Sequence, residues 1–460
     1  MNVSKIVENV PNYEVFLTVD ELDASTRQLA SDYPDIVTLF EAGKSRAGHP
    51  ILGLKIGEGE KNALCFALPH PNEPIGAMTL EYLSRALAED EDFRKQSGYT
   101  WYIIKCVDPD GTKLNEGWFK GPYNIYNYIK NFFRPGSVQQ VEWTFPITYK
   151  NLHFNTPMPE TQAIMKVIDE TKPAFLYSLH NAGFGGAYWY ITHAYEDIYE
   201  DLRASAGKHG VALHLGEPES PSCTKFSEAI YKMMGITEEY DYLEKYSEVA
   251  PESLITCGTT SADYALEKND CVTLLTELPY FFDARIQDMS DSTITRREAI
   301  EKNIEMNQKH CKKMDEFLSG IRKYIVPENP FVILVEQMIT FTKSAEGAKR
   351  KWAEAPEFEL PAKVSEVLDN TVIARFYNSL SAGLIARGAE YEMERLKKEG
   401  NADEQALADL EDARSRAAAY LVESCEKLEQ DLDYTVVPIQ KLVQIQIESG
   451  LIVAARRLRA

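Results

Sequence analysis

An imidazole and a carboxylate stand three residues apart in LCFALPHPNEPIG, at 64–76, as His70 and Glu73. If the chain turns helically there, the two side chains share a face and can converge on one ion. A second apolar run, AFLYSLHN at 174–181, ends in His180. Two imidazoles and one carboxylate, with a fourth position left open, make a donor set suited to catalytic zinc. A third run, CVTLLTELP at 271–279, carries Glu277 on what reads as a buried strand. A carboxylate is costly to bury unless it is paired or functional. Beside a water it can act as a general base, and burial lifts its pKa towards the working range. Each signal has a plain alternative: a surface turn for His70 and Glu73, a hydrogen-bonded core histidine for His180, a structural ion pair for Glu277.

These residues need elements that bring them to one edge. Short apolar runs at Asn62–Leu68, Thr100–Val107, Ala174–Leu179 and Cys271–Leu278 read as strands, and Val37–Gly43 with Pro50–Ile56 as a hairpin around SRAG. Asp20–Tyr33, with Asp20 as its cap, Ile75–Ala88 and Pro159–Thr171 read as helices. The alternation predicts an α/β fold, a mixed central sheet covered by helices on both faces, over residues 1–325. From 326 to 460 the pattern turns helical. Ala389–Lys398 and Asp403–Gln430 are rich in helix formers, with a break at Gly400-Asn401-Ala402 and a new cap at Asp403. This region is expected to be a helical bundle or a homo-oligomerisation appendage. If it drives oligomerisation, a chain cut near Ile325 is expected to form a smaller assembly and keep its metal.

The net charge of −22 argues against nucleic acid or an anionic membrane as partner, since phosphates need a basic footprint. No run approaches about 18 apolar residues, so no membrane span is expected. Seven scattered cysteines and no secretory leader point to a cytoplasmic protein.

Taken in order, HPNE at 70–73, VDPDG at 107–111, SLHN at 178–181 and LTEL at 275–278 resemble the motifs of the zinc carboxypeptidase family, as does GKSRAGHPILGLKIG at 43–57. The resemblance covers about residues 10–290. It implies one zinc per chain, held by His70, Glu73 and His180, and Glu277 as the base that activates water and protonates the leaving amine. It also implies Arg134, in NFFRP, as oxyanion stabiliser, and Tyr264, in TSADYAL, as a tyrosine closing over substrate.

The chain departs from the pattern at SVQQVEWTFP, 137–146, where the family carries an arginine that grips the substrate's terminal carboxylate. Here there is none, and Glu142 stands where a cation is expected. Lys120, Lys130 and Arg285 are candidate replacements. The reading is therefore a zinc-dependent hydrolase of an amide bond in a peptide or small peptide-like substrate. The alternatives are an N-acyl amino acid deacylase of the succinylglutamate desuccinylase or aspartoacylase type, and a non-catalytic scaffold that kept the fold.

Overall fold

The computed structural model describes residues 3–400 and 403–459. Its centre is a nine-stranded sheet. The strands are β1 (Val37–Lys44), β2 (Pro50–Ile56), β3 (Lys61–Ala67), β4 (Tyr99–Ile104), β5 (Phe175–Leu179), β6 (Tyr188–Ile191), β7 (Lys225–Ser227), β8 (Ile230–Lys232) and β9 (Val272–Glu277). They lie side by side in the order β1-β2-β4-β3-β5-β9-β6-β8-β7. The sheet is mixed. β4, β3, β5 and β9 run parallel, flanked by antiparallel neighbours at β2 and β6.

Both faces are covered, which is why the central strands are largely buried and mostly apolar. In β3, Leu64 and Phe66 point to a cluster with Ala163, Ile164 and Val167 of helix α3 (Pro159–Thr171) and Ala265 of α5 (Ser261–Lys268). The alternate residues Ala63, Cys65 and Ala67 point to the opposite cluster. That face carries α1 (Val19–Asp32), α2 (Ile75–Glu89), α4 (Tyr199–Lys208) and, from the far end of the chain, α10 (Ile439–Arg459). Glycines set two of these approaches. A Cβ on Gly76 of α2 would stand 2.6 Å from Leu179 Cβ, and one on Gly450 of α10 would stand 2.6 Å from Tyr177 Cε1.

Helix α1 starts one residue earlier than the sequence suggests. Thr18 is its cap, with Thr18 and Glu21 bonded reciprocally, and Asp20 sits in the first turn. The expected cap at Asp403 is present and accepts from Ala406 N at 3.1 Å. Asn401 and Ala402, in the expected break, lie outside the described residues.

Hydrophobic packing runs on across the change of sequence pattern near residue 325. In space, α6 (Arg296–Ser319), α7 (Ile333–Trp352), α8 (Ala374–Lys398) and α9 (Glu404–Asp431) share one continuous hydrophobic cluster with the sheet, through residues such as Phe317, Val335, Phe376 and Leu421. The chain then returns in α10 to lie against the strands. Tyr99 and Tyr177 donate to the carbonyls of Ala454 and Gln446. Among the described residues no helix is long and apolar enough to cross a membrane.

Candidate metal centre

Register brings the chemistry together. β3, β5 and β9 are adjacent and parallel, with Ala67 opposite Leu179 and Leu179 opposite Thr276. Their carboxyl ends therefore finish at one level, where open α/β sheets bind ligands. His70 follows β3 in a turn closed by Glu73 N donating to His70 O at 3.1 Å. His180 follows β5 directly, and Glu277 ends β9.

The donor atoms of His70, Glu73 and His180 lie within 4.8 Å of one another, and all three residues are buried. Glu73 is central: Oε1 stands 3.1 Å from His70 Nδ1 and Oε2 stands 3.2 Å from His180 Nδ1. Asn181 N donates to Glu73 Oε2 at 3.3 Å. Glu277 Oε1 is 3.9 Å from His180 Nδ1. Arg134 reaches the same point, donating through Nη1 to Glu73 Oε1 at 3.1 Å, with Nη2 2.9 Å from His70 Nε2. Gln140 Oε1 orients the guanidinium from behind at 3.2 Å.

Glu142 proves to have a different position from the one its sequence neighbourhood suggests. It touches the cavity wall, but its carboxylate is engaged by neighbours rather than free. It is buried behind His180, with Oε1 3.5 Å from His180 Nε2. Ser261 donates to it twice, from N at 2.8 Å and from Oγ at 2.9 Å, and Ser178 Oγ donates to it as well. Ser178 Oγ is also 2.9 Å from His180 Nε2. This network holds a proton on Nε2, and a bound ion would replace the one on Nδ1, which faces Glu73. No signal in the sequence links Glu142 to His180, because the contact joins an irregular loop to a strand end.

The electrostatics follow from burial and neighbours. Burial, then Arg134, push the His70 pKa down to about 4. Burial opposes a charge on His180 too, but hydrogen bonds to Glu142 and Glu73 outweigh it and lift its pKa to about 10. Burial, then the charges of Glu73 and Glu219, push the Glu277 carboxyl well above the usual carboxylate range.

The residues fit a divalent cation. Two imidazoles and a carboxylate are zinc's donors. Among the described residues Arg134 is the one Lys or Arg within 4 Å of the buried carboxylates of Glu73, Glu142 and Glu277, and it touches only the first. His70, Glu73 and His180 would hold the ion.

The triad opens into a cavity of about 550 Å³. One wall comes from the sheet and its loops, including Tyr188, Tyr190 and Glu219, and the other from α6, α7 and α8, including Asn303, Lys349 and Asn378. The loop after His180 is fastened to α8, where the Tyr377 hydroxyl donates to Phe184 O at 2.8 Å. Gly183 stands where a Cβ would meet the Phe376 ring at 2.9 Å.

Tyr264 is not brought to this cavity. It is buried in α5, donates to Asp169 Oδ2 at 2.9 Å and packs its ring 5.6 Å from Phe145. It lies 13 residues before Glu277 on the helix that precedes β9, and that helix turns it into the core. The candidate replacement cations are elsewhere too. Lys120 is held by Phe16 O and Glu21, Arg285 by a two-pronged pair with Asp283, and Lys130 is exposed; none lines the cavity. Of the aromatic stretch 118–133, Trp118 and Phe119 pack in the core, while Tyr128 and Phe132 reach the cavity wall.

A mixed sheet with a His-Glu-His group at the carboxyl edge of its parallel strands, and a buried glutamate beside it, defines a metallohydrolase-type site. The zinc carboxypeptidase family model matches residues 22–283, and the chain belongs to that family. Zinc carboxypeptidase A 1 of Anopheles gambiae is 25% identical over 249 residues, 51% of this chain and 54% of its own. Its Drosophila melanogaster namesake is 31% identical over 111 residues, 22% of this chain and 26% of its own. The chain thus spans about half, or less, of the length of these curated relatives. Among solved structures, the carboxypeptidase A of Helicoverpa armigera superposes with a TM-score of 0.38 at 15% identity, covering 60% of this chain and 69% of that one. A metallo-carboxypeptidase from Burkholderia cenocepacia gives 0.34 at 15%, covering 59% and 61%.

Proposed function

We propose that this protein is a zinc-dependent hydrolase of amide bonds in peptides or small peptide-like molecules. The observation that carries the reading is the convergence of His70, Glu73 and His180 with the buried Glu277, 3.9 Å from His180, at the mouth of one cavity. When bound, zinc polarises the scissile carbonyl and lowers the pKa of water. The remaining work falls to side chains. Glu277, buried 3.9 Å from His180, takes the proton of the attacking water and returns it to the leaving nitrogen. Arg134 offers fixed N–H donors to the oxygen that gains charge, and in a dry site such donors count most. Glu142 and Ser178 keep His180 in the tautomer that presents Nδ1.

The test combines metal analysis with turnover of a panel of peptides and N-acyl amino acids. Wild type should bind about one zinc, and His180→Ala should lose it. Glu277→Gln should keep zinc and lose about 10²- to 10⁴-fold in kcat, the range for a general acid–base group. A wild-type protein that takes up no zinc, or a Glu277→Gln variant as active as wild type, refutes the mechanism. Cleavage confined to the N-acyl amino acids would make the protein a deacylase instead.

A further inference from the structure

The cavity wall carries two charges of opposite sign that the protein does not neutralise. The first is Glu219. Its carboxylate accepts from the hydroxyls of Tyr188 and Tyr190, the latter at 3.2 Å, so it is exposed yet held in place. Among the described residues no Lys, Arg or His comes within 4 Å of it. Tyr188 and Tyr190 point to the same side of β6 and, with Tyr231 of β8, cluster at ring separations of 5.6–6.3 Å. Phenol rings around a carboxylate make a surface that receives a cation by both charge and π-face.

The second is Lys349, on α7. Its ammonium donates to Asn303 Oδ1 at 2.9 Å, and among the described residues no carboxylate lies within 4 Å. Two acids stand farther off, and both are engaged. Glu217 is gripped by Arg296 at 2.9 and 2.6 Å, and Asp369 accepts from Glu217 N at 2.8 Å beside His214. Burial pulls the Lys349 pKa down, with Glu217 and Asp369 acting against it. Side-chain amides continue from the lysine along the wall. Asn378 donates to Asn307 at 2.8 Å, and Asn307 to Asn303 at 3.1 Å. A half-buried ammonium with only a neutral amide for a partner is costly unless a ligand completes it. Lys349 and the three asparagines lie beyond the segment matched by the family model.

We propose that the cavity takes a short zwitterionic peptide, with its free ammonium at Glu219 and its free carboxylate at Lys349. This rests on the peptidase reading and names the substrate's two ends. Both charges line one space of about 550 Å³, within the usual range of a small-molecule site, so a substrate that meets both is short. Lys349 then supplies, from the C-terminal helices, the cation missing from 137–146. The rival is a longer chain reaching the site through the adjoining apolar cavity of about 1050 Å³, which shares Arg134, Trp143, Met234 and Met338 with the first. In that arrangement the amino terminus stays outside and Glu219 plays no part.

The experiment measures kcat/KM of the zinc-loaded full chain on one tripeptide in three forms, free, N-acetylated and C-amidated, and on a longer peptide with the same C-terminal sequence. The free tripeptide should exceed each blocked form, and the longer peptide, by about ten- to a hundredfold, the worth of one charged hydrogen bond. Glu219→Gln should shrink the gap to the acetylated form only, and Lys349→Met the gap to the amidated form only, with Lys349→Arg restoring it. Equal rates on free and blocked forms, equal rates on the longer peptide, or variants that slow every form alike would overturn the proposal. Calorimetric binding of the three tripeptides separates the two levels of failure. End-dependent binding without turnover overturns the hydrolase reading alone, whereas end-independent binding overturns this assignment.

Discussion

Replacing Glu142 by glutamine removes a charge while keeping the shape, and its effect can be worked from the contacts. The carboxylate sits behind His180 at 3.5 Å from Nε2 and takes hydrogen bonds from Ser261 N, Ser261 Oγ and Ser178 Oγ. Burial alone would raise its pKa, but His180, Ser178 and Ser261 overcome that and hold it below the usual carboxylate range. The anion therefore belongs to the folded site at neutral pH, and its field favours electron donation by His180. Loss of such an outer partner costs about 10- to 100-fold in metal affinity, or about 1.4–2.7 kcal/mol. The glutamine can still accept from Ser261 N, so the fold should lose little. Glu142→Ala should do worse, because it strands the buried Ser261 N–H at a cost of about 1–3 kcal/mol. The assay is competition for zinc against a chromophoric chelator, with thermal unfolding of the metal-free proteins alongside. Zinc affinity unchanged in Glu142→Gln, or a melting temperature as low as that of Glu142→Ala, would refute the reasoning.

Three further outcomes are expected. His310, on α6, is 5% exposed and sits between Ser381 Oγ at 2.6 Å and Tyr420 Oη at 3.1 Å. Burial pushes its pKa down to about 4, against an ordinary 6.5. Because the folded pKa is the lower one, stability is full above pH 6.5 and drains as pH falls towards 4, by at most about 3 kcal/mol at 1.36 kcal/mol per pH unit. Denaturant titrations across that interval should show the slope, and His310→Gln should flatten it. Gly450→Ala would favour an isolated helix by about 1 kcal/mol, yet the added methyl meets the Tyr177 ring, which is hydrogen-bonded in place, so a net loss of about 1–3 kcal/mol is expected in the unfolding free energy. A chain ending at Ile325 lacks α10 and uncovers the sheet face around Tyr99, Tyr177 and Trp189. It should fail to give a cooperative melt or retain zinc, and a stable zinc-bound fragment would show that the sheet does not need this cover.

That last expectation reverses the one drawn from the sequence pattern, and the reason is instructive. The strands and the candidate ligand group are legible because they are local. His70 and Glu73 share one turn, His180 and Glu277 each end an apolar run, and the strands expected at 37–43, 50–56, 62–68, 174–179 and 271–278 lie within one residue of those bounds, while the one expected at 100–107 ends three residues earlier, at Ile104. What was not readable depends on contacts across long separations. A helical run such as 439–459 has the same pattern whether it covers another copy or its own sheet. Glu142 beside His180, and Lys349 beside Asn303, are pairings of residues far apart in the chain, and composition carries no trace of them. Tyr264 is a different case: only the family resemblance points to it, and its helix turns the side chain towards Asp169 and Phe145.

Gln446, on α10, has its own bearing on how the enzyme is made. Its amide nitrogen donates to the carbonyl of His180 at 2.8 Å, while its amide oxygen accepts from Thr79 of α2. The backbone of a metal ligand is thus clamped by a residue synthesised 266 positions later. At about 5–20 residues per second, some 10–30 s of translation separate the appearance of Glu277 from that of Gln446. During that interval the nascent chain already contains His70, Glu73, Arg134, His180 and Glu277, but not the clamp. Under the proposed hydrolase reading, the site is clamped only once Gln446 has been made, and fragments that stop before α10 should be metal-poor and inert.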